Sequence, residues 1–157
     1  MAGRFLTKAE VEALEEALDD EYRAWATRDR VIRDFGPVRP LVNVRDAEAG
    51  HIEALETLFG RSGLTVPENP WTGRVKPSGS LLSAGEDAVA DEIGNAALHE
   101  RLVHAVRHAD VRRLFLNLES ASQQRHFPTF RCCAARGDRH GGGPRRRGGG
   151  AGGPCSA

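Results

Sequence analysis

Glu48 and His51, in the stretch "RDAEAGHIEAL", stand three residues apart. On an α-helix that step sends both side chains toward one spot. A carboxylate and an imidazole so placed can share a divalent metal ion, and carboxylates from neighbouring helices can complete or bridge its coordination. Glu21, Glu92, Glu119 and His126 supply the same donor types elsewhere in the 157-residue chain. Whether they form one site depends on the helix faces they occupy.

Residues 6–10, "LTKAE", predict a helix start: Thr7 and Glu10 form a capping box, with Leu6 and Val11 as its hydrophobic staple. From there Val11, Leu14, Leu18, Glu21, Trp25, Arg28, Ile32 and Phe35 recur at alternating three- and four-residue steps until Gly36-Pro37 stops the helix. Pro40 suits the first turn of a second helix, whose stripe is Leu41, Val44, Glu48, His51, Leu55 and Leu58. Glu48 and His51 thus interrupt the face that should turn to the core. The Gly- and Pro-rich residues 60–80 read as a long crossover. A third helix starts at Ser80 or Ser83 and carries Leu82, Gly85, Val89, Glu92, Ala96, His99, Val103 and Val106 in step. Asp110 is expected to cap a fourth, with Phe115, Glu119, Ser122, His126 and Phe130 in register.

Four helices in two capped pairs, with a long central connection, predict an all-α four-helix bundle over residues 1–135. The Gly/Arg-rich residues 136–157 are expected to form a disordered tail. Every inward stripe carries a carboxylate or an imidazole near its middle. Burying an unpaired carboxylate costs several kcal/mol, large beside a domain stability of about 5–15 kcal/mol. Carboxylates on all four stripes therefore call for a compensating cation.

Lys+Arg and Asp+Glu both total 22, so net charge selects no class of partner. From Arg131 onward six Arg and one Asp carry about +5. That basic tail has a weak nucleic-acid contact as its functional reading and a solubilising role as its plainer one. No apolar run approaches the roughly 18 residues of a membrane span. The N-terminus is charged and periodic rather than secretory, so a cytoplasmic chain without membrane contact is expected. Cys132, Cys133 and Cys155 have neither disulfide-framework nor metal-quartet spacing.

The segments "EALDDEYRAWATRDRVIRDFGPVRPLVNVRDAEAGHIEAL", "ADEIGNAALHERL" and "NLESASQQRHFPTFRCC" resemble the ferritin-like superfamily, which includes the bacterioferritins and rubrerythrins. The chain is most similar to an uncharacterised ferritin-like family known only as a domain of unknown function. The resemblance implies that Glu21, Glu48, His51, Glu92 and His126 ligate two iron or manganese ions, with Glu119 the weakest member of the set. It places Glu21 and His51 on one ion, Glu92 and His126 on the other, and Glu48 between them. It implies oxidase- or peroxidase-type chemistry on oxygen, peroxide or iron, and it assigns no separate catalytic side chain. A homodimer is the further partner considered.

The chain departs from that pattern at three places. Ser122 and Gln123 stand where a fourth-helix carboxylate belongs, and Arg28 and His99 stand where a Tyr is often found, seven residues after the first- and third-helix Glu. Gly50, inside the motif, weakens the helix by about 1 kcal/mol. Arg28 and His99 are expected to flank the site. They also open another reading, a metal-free bundle serving as a structural or protein-binding module, its carboxylates neutralised by Arg28 and the histidines. Deleting residues 137–157 is expected to leave helical circular dichroism and the melting temperature unchanged, because the segment has no apolar periodicity. A loss of helical signal on that truncation would show that it packs on the bundle.

Overall fold

The computed structural model describes residues 5–39 and 41–122. They form four α-helices and no strand: α1 (Lys8–Phe35), α2 (Leu41–Arg61), α3 (Leu81–Ala105) and α4 (Ala109–Ala121). His126, the three Cys and the expected tail lie outside the described residues. No described helix is long and apolar enough to cross a membrane.

Local signals account for most helix ends. The Thr7 hydroxyl accepts the Glu10 amide at 3.2 Å, and the Glu10 carboxylate accepts the Thr7 amide at 2.9 Å, which closes the first turn of α1. Gly36, at φ +91°, ends that helix in a conformation that L side chains rarely adopt. The N-cap of α3 is Ser80 rather than Ser83; the Ser80 hydroxyl accepts the Ser83 amide at 3.1 Å. The expected cap of α4 is not formed by Asp110, which lies inside the first turn. Glu10, far away in sequence, does that work: its carboxylate accepts the Arg107 and His108 amides at 2.9 and 2.7 Å. One carboxylate thus serves the N-termini of two helices and ties the start of α1 to the α3–α4 corner.

α1 packs on α2 and α3, and α4 packs on α3 and α2, which closes a four-helix bundle. α2 and α3, joined by residues 62–80, make no comparable contact with each other. The connection is pinned to α1 and α2. The Tyr22 hydroxyl donates to Glu56 at 2.9 Å and to the Pro67 carbonyl at 3.1 Å, and the Trp71 indole donates to Asp19 at 2.9 Å.

The buried face of α1 differs from the expected stripe at alternate turns. Leu14, Leu18, Glu21 and Arg28 are buried as expected, but Ala24 and Val31 lie inside while Trp25 and Ile32 are half-buried and Phe35 is exposed. Small neighbours such as Ala24 leave room in that stretch for the long Glu21 and Arg28 side chains. The core divides in two along the helices. One cluster holds Leu14, Leu18, Leu55, Phe59, Leu102 and Phe115; the other holds Val31, Leu41, Val44, Ala84 and Ala88. On each of α1, α2 and α3 the polar residues fall between the two.

Burial opposes the charge on Glu10, but hydrogen bonds from the Thr7, Arg107 and His108 amides and the Thr7 hydroxyl outweigh it and hold the carboxyl at about 2, below its usual 4.5. A depressed folded value means that this contribution is present above pH 4.5 and is lost as pH falls toward 2. Glu10→Gln is expected to cost about 1–2 kcal/mol at neutral pH. It should also flatten the acid limb of the stability curve. Equal acid sensitivity of variant and parent in urea titrations would remove Glu10 from this role.

Candidate functional site

Arg28 lies at the centre of the layer between the two apolar clusters, with its side chain 2% exposed. Each end of its fork faces a carboxylate from another helix. Nε stands 3.9 Å from Glu48 Oε1 on α2, Nη2 3.9 Å from Glu92 Oε1 on α3, and Nη1 3.5 Å from Asp91 Oδ2 on α3. A planar guanidinium, with five N–H donors in a fixed fork, can address carboxylates in several directions at once. Glu92 is also bound from α4, where the Ser122 hydroxyl donates to its Oε2.

The other half of the layer is built around Glu21. Its Oε2 lies 3.3 Å from His51 Nδ1, and its Oε1 lies 3.9 Å from His99 Nε2. His99 Nε2 also faces Asp20 Oδ2 at 3.9 Å. Asp20 accepts from Arg23 at 3.1 Å. The Asn95 amide, with its nitrogen turned to the acceptors, donates to both Asp20 carboxylate oxygens at 3.1 and 3.2 Å and to the Asp91 carbonyl at 3.1 Å. In this layer Glu48 Oε2 and both ring nitrogens of His99 are buried and make no hydrogen bond among the described residues.

These surroundings decide where protons sit. Burial drives the Glu48 carboxyl well above its ordinary range, against the pull of Arg28 and helped by the charges on Glu21, Glu92 and Asp20. Asp20 is pushed up to about 6 by burial and by Glu21, with Arg23 opposing. Burial lowers His99 and keeps it neutral, although Glu21 and Glu92 pull the other way. Burial thus makes Asp20 and Glu48 hold their protons more tightly than solvent would, with the Arg28 guanidinium opposing the rise at Glu48.

The structure places Glu21, Glu48, His51 and Glu92 in one layer. It places Arg28 in the middle of them rather than beside them, and it buries His99 against Glu21. Glu119 is half-buried at the edge, close enough for its charge to act on His99. His126 lies outside the described residues. Asp20, Asp91 and Asn95 escaped the sequence reading. Asp20 and Asp91 each directly precede a stripe Glu and so fall off the inward stripes, and Asn95 has only its three-residue step from Glu92 as a signal.

The two-ion centre implied by the resemblance needs Glu48 and Glu92 turned toward metal, and both are turned toward Arg28. A divalent ion about 4 Å from a guanidinium meets a repulsion on the order of 8 kcal/mol at an effective dielectric of about 20. Among the described residues no three His, Cys, Asp or Glu side chains are grouped to hold a metal ion. The pair of ions does not fit with Arg28 where it stands.

Neither a family model nor a curated protein matches the chain. Two solved structures share its fold. One is a hypothetical protein of Methanococcus jannaschii, MJ0754, at 17% identity and a TM-score of 0.76 over 87% of this chain and 86% of that one. The other is a conserved hypothetical protein of Mycobacterium tuberculosis, rv2844, at 19% identity and a TM-score of 0.60 over 90% of this chain and 97% of that one. At such identities the likeness concerns the helical bundle alone.

Arg28→Met keeps the length of the side chain and removes its charge. It is expected to destabilise the bundle by roughly 3–5 kcal/mol at pH 7, because buried carboxylates lose their cation. Asp20 and Glu48 have folded values above their unfolded ones, so what they contribute is complete below their unfolded values and is lost as pH rises through the folded ones, about 6 for Asp20. Arg28 opposes the rise at Glu48 to which the charge on Asp20 adds, so the penalty of Arg28→Met should shrink between pH 7 and pH 5 as Asp20 takes up its proton. A penalty that is constant over that interval would contradict the charge account.

Proposed function

We propose that this chain is a ferritin-like bundle in which Arg28 replaces the metal pair, and that it acts as a metal-independent binding module rather than as an oxidase or peroxidase. One observation carries the reading: a guanidinium, itself buried, stands within ion-pair reach of Glu48, Glu92 and Asp91. It performs the electrostatic task of a cation without an open coordination position or a redox couple. The layer then fixes how α1, α2 and α3 register against one another. Buried ionic groups are poor sources of net stability but can specify one arrangement among several.

A second reading has its own support in His99. Both ring nitrogens lack a hydrogen bond among the described residues, and Nε2 faces Glu21 and Asp20 across 3.9 Å. That is close to twice a metal–ligand bond of about 2 Å. A single divalent ion there would need Glu21, His51 and His99 to draw together, since as they stand no three such side chains among the described residues are grouped to hold one, and Arg28 would be left in place.

Elemental analysis of the untagged full chain, after anaerobic exposure to ferrous iron and to manganese, separates the readings. The first expects no retained ion and a melting temperature that metal does not move. One ion per chain, lost in His99→Gln, would establish the second. Two ions per chain would overturn both and restore the di-metal expectation.

A further inference from the structure

Trp71 and residues 74–78 of the α2–α3 connection line a groove of about 620 Å³ between α1 and α3. That volume lies within the few hundred to about a thousand Å³ typical of small-molecule sites. Its wall is apolar where Ala24 and Val31 of α1 face Ala84 of α3 and Val75 of the connection. At the inner end stand Asp91 and Asn95, whose polar atoms are already engaged with Arg28 and Asp20. Arg23, on the same rim, is engaged by Asp20. Two cations that line the groove, Arg74 and Lys76, have no side-chain hydrogen bond or ion pair among the described residues, and one exposed carboxylate, Asp87, shares the lining. The charge left open is therefore positive. The chain's own Arg-rich C-terminal segment has the same sign and is a poor complement to it.

We propose that this groove binds a small organic anion, a carboxylate or phosphate ester with a compact apolar body. The anionic group lies at Arg74 and Lys76, and the body lies against Ala24, Val31 and Ala84. The connection is held at one end by the Trp71 indole on Asp19 and by the Asn69 side chain, which accepts the Trp71 amide at 2.9 Å, so the groove is largely formed before a ligand arrives. The proposal goes beyond the Arg28 reading and adjoins it only through Asp91, which lines the inner end and pairs with Arg28.

The test is isothermal titration of the full chain, in low-salt buffer with a chelator, against phenylacetate, phenyl phosphate and inorganic phosphate. Saturable binding of phenylacetate or phenyl phosphate is expected, at least about tenfold tighter than inorganic phosphate and weakened about tenfold or more by Arg74→Gln with Lys76→Gln. Which of the two aromatic probes binds more tightly assigns the anion as carboxylate or phosphate. Both substituted residues are exposed, so an unchanged melting temperature is expected. Ala84→Leu, which fills the apolar end, should also weaken binding. The proposal is overturned if no probe saturates at about 1 mM, if inorganic phosphate binds as well as the aromatic anions, or if the double variant binds like the parent. Metal content is measured on the same sample. Metal uptake with anion binding intact would defeat the Arg28 reading and leave the groove standing, whereas no metal and no anion binding would do the reverse.

Discussion

A guanidinium enclosed by carboxylates from two other helices sets the terms for the whole bundle. Arg28 and its partners interrupt an apolar core that would otherwise run unbroken from one end of the helices to the other. Sliding α1 by one turn against α2 or α3 would leave Glu48 or Glu92 buried without its cation, a penalty comparable to a large part of the total stability. The two apolar clusters supply the driving force for folding, and the layer between them supplies the register. Ser122 brings α4 into the same scheme through its hydrogen bond to Glu92.

The layer also sets what the site can do chemically. Of the carboxylates that would hold a metal pair, Glu48 and Glu92 face the Arg28 guanidinium, Glu92 also accepts from the Ser122 hydroxyl, and burial makes the Glu48 carboxyl hold its proton more tightly than solvent would. Of the two halves, the one around Glu48 and Glu92 is closed by Arg28. The one around Glu21 is looser: His51 is partly exposed, and His99 is enclosed without a hydrogen bond among the described residues. The groove beneath the α2–α3 connection abuts this layer through Asp91 and Asn95, so any ligand there lies one side chain from Arg28 and Asp20.

Much of this was legible in the residue order, for identifiable reasons. Helix starts at Thr7 and Ser80 and the stop at Gly36 follow from local hydrogen bonding and backbone geometry, which short sequence windows encode. Placing Glu21, Glu48, Glu92 and His99 on inward stripes follows from periodicity. What periodicity lacks is depth and direction. It put Trp25 inside, where the crowded layer admits only Ala24, and it put Arg28 beside the carboxylates, because nothing local tells which way a long side chain turns. The capping of α4 by Glu10 was invisible for the same reason: the partners are 97 and 98 residues apart.

The most direct measurement is a crystal structure of the full chain grown with millimolar manganese, with anomalous data collected to locate the metal. The account predicts continuous density for the Arg28 guanidinium between Glu48 and Glu92 and no anomalous peak within bonding distance of either carboxylate. A manganese peak bridged by Glu48 and Glu92, with Arg28 turned out of the layer, would contradict it.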